Sequence, residues 1–337
     1  MKRSLMGLIV LLLSVNLSAC QGDGQVSIPL LIYDQDDLFM QSFEQSLISE
    51  AEAYPYSFEV YDAEGSQLIQ NNQFKAIVES EPPLILINPV DRVGVYPLIE
   101  LAEQAGIKLV FFNREPLSED IMQSRNAYYV GSEASQSAVI QFALIDALLT
   151  ERSLDTNEDG AIQTLILKGQ PGHQDAEIRT ANIIDLLESS PTAFDIIDTE
   201  VAFFDRLEAF QRLTQRLASD AFHVELIVSN NDAMALGAID ALENAGYFID
   251  SDTGEMYANT HPLWLPVVGI DGIDLAIESI DQGMLHGTVL HNTDLMSAVI
   301  TELIDSLLKD SQEMLVDNYP LVNGRYIYVD YAAYSDD

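Results

Sequence analysis

The sequence contains very little cysteine. Of its 337 residues only Cys20 is a cysteine, so no disulfide can form within the chain. Tryptophan is equally scarce, with Trp264 alone. A chain without disulfides must take its stability from a hydrophobic core, and this one is long enough to form two domains.

Basic residues are also few. The chain holds 15 Lys and Arg against 54 Asp and Glu, which gives a formal net charge of −39 at pH 7. Clustered Lys and Arg are needed to bind phosphate backbones or anionic lipid, so this charge disfavours nucleic acid and membrane surfaces as partners. The hydrophobic fraction of 48% argues against disorder. We interpret the acidity as an aid to solubility in a medium rich in salt or divalent ions.

Long apolar runs are missing as well. The most pronounced run, "SLMGLIVLLLSV", has roughly a dozen residues, whereas a membrane span needs about 20. It follows Lys2 and Arg3, and we therefore predict a signal peptide over residues 1–19. No later stretch is apolar enough to span a bilayer, so we expect a soluble mature chain.

The cysteine directly after this run has two interpretations. A lone cysteine is often a small buried hydrophobic residue. However, Cys20 follows Leu-Ser-Ala, and this sequence resembles a bacterial lipobox. The resemblance implies cleavage before Cys20 and lipidation of its sulfur. It also implies an anchor on a bacterial membrane outside the cytoplasm, in the periplasm or at the cell surface, with residues 20–26 as a tether.

The rest of the chain alternates strand-like and helix-like segments. Apolar runs such as "VSIPLLIY" and "KLVFFN" are followed by segments with helical periodicity, and the same rhythm resumes after residues 128–132. This alternation predicts an α/β fold with parallel sheets covered on both faces. About ten such units are too many for one small sheet, so we predict two doubly wound domains. The segment 246–264 has no strong period, and we expect a surface excursion there.

Polar residues cluster where the predicted strands end. In an open α/β sheet, ligands bind at the carboxyl ends of the strands. Asp and Asn accept hydrogen bonds from hydroxyls, Asn and Arg donate them, and aromatic faces suit the C–H surface of a sugar. The mixture at these ends therefore suits a small, neutral, polyhydroxylated ligand. The strand ends are "YDQDDLF" (33–39), "NREP" (113–116), "KGQPGHQDAEIR" (168–179), "SNNDA" (229–233), "GIDG" (270–273) and "VLHN" (289–292).

Four longer blocks of sequence resemble a known family. They are "LLIYDQDDLFM", "VFFNREP", "LKGQPGHQDAEIRT" and "VSNNDAMALGAIDAL". Their order and spacing are similar to those of the bacterial periplasmic galactose/glucose-binding proteins, which are the solute-binding components of sugar ABC importers. The similarity covers residues 27–335.

The resemblance implies the type I periplasmic-binding-protein fold. In that fold, two Rossmann-like lobes are joined by a three-stranded hinge and close on a ligand in the cleft between them. We accordingly assign residues 27–131 and 292–322 to the N-terminal lobe, and residues 132–291 and 323–337 to the C-terminal lobe.

The resemblance also implies a set of sugar-binding residues. Phe39 would pack against the sugar ring, and Asp175 and Arg179 would lie near its anomeric and ring-oxygen side. The other polar side chains would satisfy the hydroxyls, and a buried polar group that loses its partner costs about 1–3 kcal/mol. The full set is Asp37, Phe39, Asn113, His173, Asp175, Arg179, Phe204, Asn231, Asp271 and His291.

Two positions depart from the family pattern. The family has a tryptophan where this chain has Phe204, or Phe203 if the alignment shifts by one residue. It has an asparagine where this chain has His291. Asn292 comes next, but a shift of one residue in a strand reverses the side-chain direction. We therefore expect a hexose-like sugar and leave open whether it is galactose or glucose.

The stretch "DTNEDGAIQ", residues 155–163, contains most of a calcium-binding loop. Oxygen-bearing side chains alternate along it, but Ile166 occupies the twelfth position, where an EF-hand has a bidentate glutamate. From the residues alone, a surface loop is the simpler interpretation. The resemblance implies instead a structural calcium site that takes its last ligand from Glu225. The implied ligands are Asp155, Asn157, Asp159, the Ala161 carbonyl, Gln163 and Glu225.

Other functions are compatible with parts of this pattern. The cleft aspartates and His173 could serve as acid–base groups in glycoside hydrolysis, but no nucleophile motif such as G-x-S-x-G is present, so we predict that the chain is not an enzyme. A transcription regulator of the same fold would need a DNA-binding segment where the signal peptide lies. A lipoprotein that reports sugar occupancy to a receptor or sensor kinase would have the same cleft as a transport protein, so that alternative stays open. For transport we expect a monomer whose partners are a monosaccharide and an ABC permease.

Overall fold

The computed structural model describes most of the chain, namely residues 25–219, 223–248, 264–309 and 319–335. The predicted signal peptide, Cys20 and most of the predicted tether lie outside these residues, as does most of the 246–264 segment. Within the described part of the chain, no helix is both long enough and apolar enough to cross a membrane.

Two six-stranded sheets form the centres of two lobes. The first sheet contains β1 (Val26–Ile32), β2 (Tyr56–Asp62), β3 (Leu84–Ile87), β4 (Lys108–Phe112), β5 (Ala127–Gly131) and β11 (Tyr326–Tyr328). The second contains β6 (Ile162–Lys168), β7 (Phe194–Val201), β8 (Leu226–Ser229), β9 (Val267–Asp271), β10 (Gly287–Leu290) and β12 (Ala332–Ser335). The strand orders are β11-β5-β4-β3-β1-β2 and β12-β10-β9-β8-β6-β7, and all pairs are parallel except β10 with β12.

Helices connect the strands and cover the sheets. The first lobe contains α1 (Leu38–Ala51), α2 (Gln67–Glu79), α3 (Tyr96–Ala105), α4 (Ser118–Gln123) and α10 (Thr293–Leu308). The second contains α5 (Ala134–Glu151), α6 (Gln174–Ser189), α7 (Arg206–Leu217), α8 (Asp232–Asn244) and α9 (Asp274–Asp281). The chain crosses between the lobes after β5, after β10 and after β11. The predicted fold, two doubly wound α/β lobes joined by three crossings, is confirmed.

One predicted lobe boundary is wrong. Residues 323–337 are predicted to belong to the C-terminal lobe, but β11 pairs with β5 at the edge of the first sheet. The Tyr326 ring packs 5.9 Å from the Tyr129 ring, measured between centroids, so the strand buries aromatic surface against the first lobe. The chain therefore reaches the second lobe only after Tyr328, at β12.

Several helices begin directly after a strand, and their first residues carry polar side chains. Asp37 caps α1, His173 caps α6 and Asn231 caps α8. Each side chain accepts a hydrogen bond from a backbone N–H of the first helical turn, a group that would otherwise lack a partner. The fold itself therefore fixes three of the residues predicted to bind the sugar.

The helices α7 and α8 approach each other very closely at Gly237. A Cβ atom at Gly237 would lie 2.1 Å from the carbonyl oxygen of Arg206. The Arg206 guanidinium also forms hydrogen bonds of 2.7 and 2.8 Å with Asp240 across the same helix pair. Because Phe204 precedes α7 and Asn231 caps α8, this contact sets the relative positions of two predicted site residues.

The variant Gly237→Ala should be less stable than the parent. The added methyl group meets backbone rather than a flexible side chain, so the helices must separate, at a cost of about 1–3 kcal/mol. Urea unfolding should show this loss, whereas Glu243→Ala on the exposed face of α8 should change the free energy of unfolding by less than about 0.5 kcal/mol. Equal stability of Gly237→Ala and the parent would contradict the close packing.

Candidate functional site

A cavity lies between the two lobes. All ten residues predicted to bind sugar line it, together with Tyr33 and Arg114, which the sequence analysis missed. The lining residues are Tyr33, Asp37, Phe39, Asn113 and Arg114 from the first lobe, His173, Asp175, Arg179, Phe204, Asn231 and Asp271 from the second lobe, and His291 at the crossing after β10.

Arg179 is a buried cation of the cavity wall, with 4% of its side chain exposed. Its guanidinium nitrogens lie 3.4 Å from an Asp175 carboxylate oxygen and 3.6 Å from an Asp271 carboxylate oxygen. It also donates hydrogen bonds to the Asn230 carbonyl (2.8 Å) and the Tyr331 hydroxyl (3.1 Å). Burial alone would lower the pKa of Arg179, but Tyr331 and the two carboxylates outweigh burial and raise it. The guanidinium therefore stays charged and holds both carboxylates beside it.

The two carboxylates beside Arg179 are themselves buried. Burial raises the pKa of Asp175 above its ordinary value and that of Asp271 well above it, although Arg179 opposes both shifts. Asp271 has a backbone φ of 129°, which residues other than glycine rarely adopt. Asp232 holds the following turn by accepting hydrogen bonds from the N–H groups of Gly272 (2.6 Å) and Ile273 (3.1 Å). The Asp271 carboxylate is thus fixed by backbone geometry as well as by charge.

Three buried nitrogen atoms of the cavity wall have no hydrogen-bond partner among the described residues. They are Arg114 Nε, Arg179 Nε and His291 Nε2. Leaving a buried polar group without a partner costs about 1–3 kcal/mol, and each such group in a native structure needs an explanation. A bound molecule that carries hydroxyl groups is one source of such partners.

The aromatic part of the wall includes Phe39 and His291. Their rings stack with centroids 4.8 Å apart and an angle of 11° between planes, and His291 also lies 4.8 Å from the Tyr331 ring. The neighbouring Asn292 is exposed and caps α10 by accepting a hydrogen bond from the Leu295 N–H (2.9 Å). The cavity therefore receives His291 and not Asn292.

Phe203 and Phe204 are the two candidates for the position of the family tryptophan, and Phe204 is the one that lines this cavity. Phe203 is 52% exposed and lies outside its wall. The Phe204 ring meets His173 edge-on, with centroids 5.1 Å apart. It also covers Gly169, where a Cβ atom would be 2.2 Å from Phe204 Cζ. The absence of a side chain at Gly169 therefore makes room for this ring.

The protonation of His173 follows from its place at the start of α6. Its Nδ1 accepts a hydrogen bond from the Asp175 N–H (3.2 Å), so the proton of the neutral ring is on Nε2. Burial lowers the pKa of His173 well below its ordinary value, and the cations Arg114 and Arg179 lower it further. His173 is therefore a neutral hydrogen-bond donor in this wall.

The two lining residues that the sequence analysis missed contact each other. The guanidinium carbon of Arg114 lies 3.5 Å from the centroid of the Tyr33 ring, and Arg114 donates a hydrogen bond to the Val90 carbonyl (2.9 Å). The Tyr33 hydroxyl donates a short hydrogen bond to the Asp37 carboxylate. Both residues belong to the strand ends quoted above, and Arg114 directly follows Asn113. Considering every polar residue of those strand ends would have included them.

The loop predicted to bind calcium, residues 155–163, is joined to the second sheet through Glu225. One carboxylate oxygen of Glu225 accepts hydrogen bonds from the Thr156 N–H (2.5 Å), the Thr156 hydroxyl (2.6 Å) and the Asn157 N–H (3.1 Å). The other accepts one from the Gln163 N–H (3.2 Å). With 1% of its side chain exposed, Glu225 ties the loop to the residues just before β8.

The side chains of this loop form one hydrogen-bonded network. The Asp155 carboxylate accepts from the N–H groups of Asp159 (3.1 Å) and Gly160 (2.9 Å). The Asp159 carboxylate accepts from the side-chain amides of Asn157 and Gln163, both at 2.9 Å. Rotating these two amides would present their oxygens in place of their nitrogens. Within the described residues, no group of three or more carboxylates, imidazoles or thiols is arranged as a ready metal site.

The variant His291→Asn should lose less stability at acidic pH than the parent. Burial, reinforced by Arg179, lowers the pKa of His291 well below its ordinary value of about 6.5. The unfolded chain then takes up a proton that the folded chain cannot, so stability present above about pH 6.5 is lost as the pH falls toward the folded-state pKa.

Urea unfolding at about pH 7.5 and about pH 5.5 would measure this difference. The fall in the free energy of unfolding between the two pH values should be about 1 kcal/mol smaller for His291→Asn than for the parent. An equal fall in both proteins would show that folding does not hinder protonation of His291.

The chain is similar to proteins of known family. A family model described as the periplasmic binding protein domain matches residues 28–312. The chain is 32% identical over 283 residues to the D-galactose/methyl-galactoside binding periplasmic protein of Haemophilus influenzae, and the match covers 83% of this chain and 81% of the relative.

Solved structures share the fold. An ABC transporter solute binding protein from Bacillus halodurans with bound myo-inositol has a TM-score of 0.73 at 24% identity, covering 94% of this chain and 96% of the other. A periplasmic solute binding protein of an ABC transporter from Actinobacillus succinogenes with bound D-allose has a TM-score of 0.74 at 22% identity, covering 92% and 98%.

These matches confirm the resemblance seen in the sequence blocks. The matched proteins bind solutes, so the prediction that this chain is not an enzyme is also confirmed. The chain belongs to the periplasmic binding protein family, whose members bind solutes outside the cytoplasm.

Proposed function

We propose that the protein captures a hexose-like monosaccharide between its lobes and delivers it to the permease of an ABC importer. The observation that carries the proposal is that Arg114, Arg179 and His291 line one cavity beside aromatic rings, and that each has a buried nitrogen without a partner in the described part of the chain. A sugar presents hydroxyl oxygens to such nitrogens and C–H faces to such rings. The relatives named above with galactose, myo-inositol or allose support a polyhydroxylated ring as the ligand.

Each side chain around the cavity would contact a different part of the sugar. Asp175 and Asp271 accept hydrogen bonds from hydroxyls, while Arg179, held between them, donates to a ring or hydroxyl oxygen. Asn231 is held in place by its role at the start of α8. Because these groups are ordered before the ligand arrives, binding requires little additional side-chain ordering.

Both lobes contribute to the cavity, so a ligand in it must contact both. Closure of the lobes around the sugar would exclude water and strengthen each hydrogen bond in the cleft. The three crossings are the segments that can bend during such a motion, and a permease could distinguish the closed form from the open one.

Phe204 and His291 are the residues that bear on which hexose binds. Phenylalanine keeps an aromatic face but offers less area than the tryptophan of the galactose/glucose-binding family. His291 is bulkier than asparagine, and its Nε2 has no partner among the described residues. We therefore propose a hexose-like ligand, with galactose and glucose as the first sugars to test.

We further propose that the mature protein is a monomer anchored to a bacterial membrane through lipidated Cys20. The anchor is supported by the apolar run of residues 4–15 and by the Leu-Ser-Ala-Cys sequence that follows shortly afterwards.

Calorimetry against pentoses, hexoses and disaccharides tests the sugar proposal. At least one hexose should bind the parent, and Asp175→Ala should abolish measurable binding because it removes a buried acceptor beside Arg179. Thermal unfolding should confirm that this variant remains folded.

A matched control lies on the same helix. Glu188→Ala, on the exposed face of α6, should bind the sugar with the affinity of the parent. The absence of heat with every monosaccharide on a folded sample would count against sugar binding. Normal binding by Asp175→Ala would contradict the assignment of Asp175 to the ligand.

We also propose a structural calcium site in the loop of residues 155–163. The carboxylates of Asp155, Asp159 and Glu225, the side-chain oxygens of Asn157 and Gln163, and the Ala161 carbonyl fit the oxygen donors that calcium prefers. None of these residues lines the cavity between the lobes. Calcium there would offset the repulsion of three carboxylates and tie the loop to the second sheet.

Chelation should lower the melting temperature of the parent by a few degrees. Glu225→Gln should melt lower than the parent in saturating calcium and should lose most of its sensitivity to chelation, since each kcal/mol corresponds to about 2–4 °C for a domain of this size. Glu158→Gln, an exposed loop residue outside the ligand set, should behave like the parent. If Glu225→Gln melts like the parent in saturating calcium and chelation affects neither protein, the calcium site does not exist.

A further inference from the structure

A second, larger cavity adjoins the one described above. Its volume is about 610 Å³, and it shares Tyr33, Asp37, Arg114 and Phe204 with the inner cavity as a common wall. We call it the outer cavity, and beyond the shared wall it is lined mainly by residues of the segments 34–38 and 203–207. The proposed binding of one monosaccharide does not require it, because the inner cavity already contains every residue predicted to bind the sugar.

Two consecutive phenylalanines lie where the two cavities meet. Phe204 lines both, whereas Phe203 lines only the outer cavity and is 52% exposed. Both have left-handed backbone conformations, with φ of 56° and 65°. Such a conformation costs on the order of 1–3 kcal/mol for a residue other than glycine, and it clusters at ligand sites. In an extended strand neighbouring side chains point to opposite faces, so the strained turn brings both rings to one cavity.

The outer cavity combines apolar surface with hydrogen-bond acceptors. Leu207 and Leu275 are 61% and 44% exposed, far more than is usual for leucine. On the side of the first lobe, Asp34 and Asp36 add carboxylates. A purely apolar group would displace water from these carboxylates without replacing its hydrogen bonds. A sugar residue instead offers hydroxyls to the carboxylates and a C–H face to Phe203.

We propose that the outer cavity is a second carbohydrate subsite, which holds the second sugar residue of a disaccharide whose first residue occupies the inner cavity. This proposal rests on the proposed function, since it places a monosaccharide unit in the inner cavity. It extends the ligand class from free hexoses to hexose disaccharides. Phe203 is the residue that distinguishes the two classes, because it lines the outer cavity alone.

Calorimetry with lactose, melibiose and maltose, each beside its constituent monosaccharides, tests the subsite. At least one disaccharide should bind the parent. Phe203→Asn removes the ring but keeps a residue that tolerates the left-handed conformation. It should weaken disaccharide binding about tenfold and change monosaccharide binding by less than about twofold. Asp34→Asn combined with Asp36→Asn should weaken the disaccharide selectively in the same way.

Met122→Asn, at an exposed apolar residue of α4 outside both cavities, is the control and should leave both affinities unchanged. If monosaccharides bind and no disaccharide does, the outer subsite is wrong and the proposed function stands. Equal weakening of both ligand classes by Phe203→Asn, or no weakening of either, would also overturn the subsite. If no monosaccharide binds, the proposed function fails and the subsite with it.

Discussion

The second-lobe half of the cavity depends on the attraction between the buried, charged Arg179 guanidinium and the acidic side chains around it. It acts on the carboxylates of Asp175, Asp232 and Asp271, and burial raises the pKa of all three, that of Asp232 to about 6. A buried ion pair adds little net stability, because desolvation offsets the attraction, but removing one partner leaves an uncompensated buried charge. This cluster therefore contributes mainly by holding the acidic side chains in position. One cation keeps several acidic groups in fixed places inside a small volume, where their repulsion would otherwise push them apart.

The helix starts provide the second constraint on the site. Asp37, His173 and Asn231 satisfy backbone N–H groups of the first helical turns, and the same side chains line the cavity. A cap residue cannot adopt another rotamer without leaving a helix end unsatisfied, so each of these side chains is held in place by local structure. Gly237 adds a longer-range element, because the close approach of α7 and α8 fixes Phe204 relative to Asn231. The same few residues thus cap the helix starts and line the cavity.

Much of this arrangement could be predicted from the sequence, for physical reasons. Apolar runs followed by helical periodicity identify the parallel strands, and polar residues directly after them must lie at the edge where the two sheets face each other. Side chains alternate in direction along a strand, and this alternation favours His291 over Asn292 as the residue that lines the cavity. The structure has the same arrangement. Alternation could not decide between Phe203 and Phe204, because both residues have left-handed backbone conformations. The short strand β11 was assigned to the wrong lobe, since three residues carry too little periodicity to show which sheet they join. Arg114 was missed because its role depends on stacking over Tyr33, a contact between distant segments.

The three crossings also determine when the protein can fold during its synthesis. The first sheet is completed by β11 and the second by β12, and both strands belong to the last dozen or so residues of the chain. The helix α10, which packs on α1 in the first lobe, is also made late, after nearly all of the second lobe. A ribosome moving along the message therefore releases no finished lobe until it has passed α10 and β11. Folding of this chain cannot proceed as two successive independent events, because its two lobes are completed one directly after the other by β11 and β12.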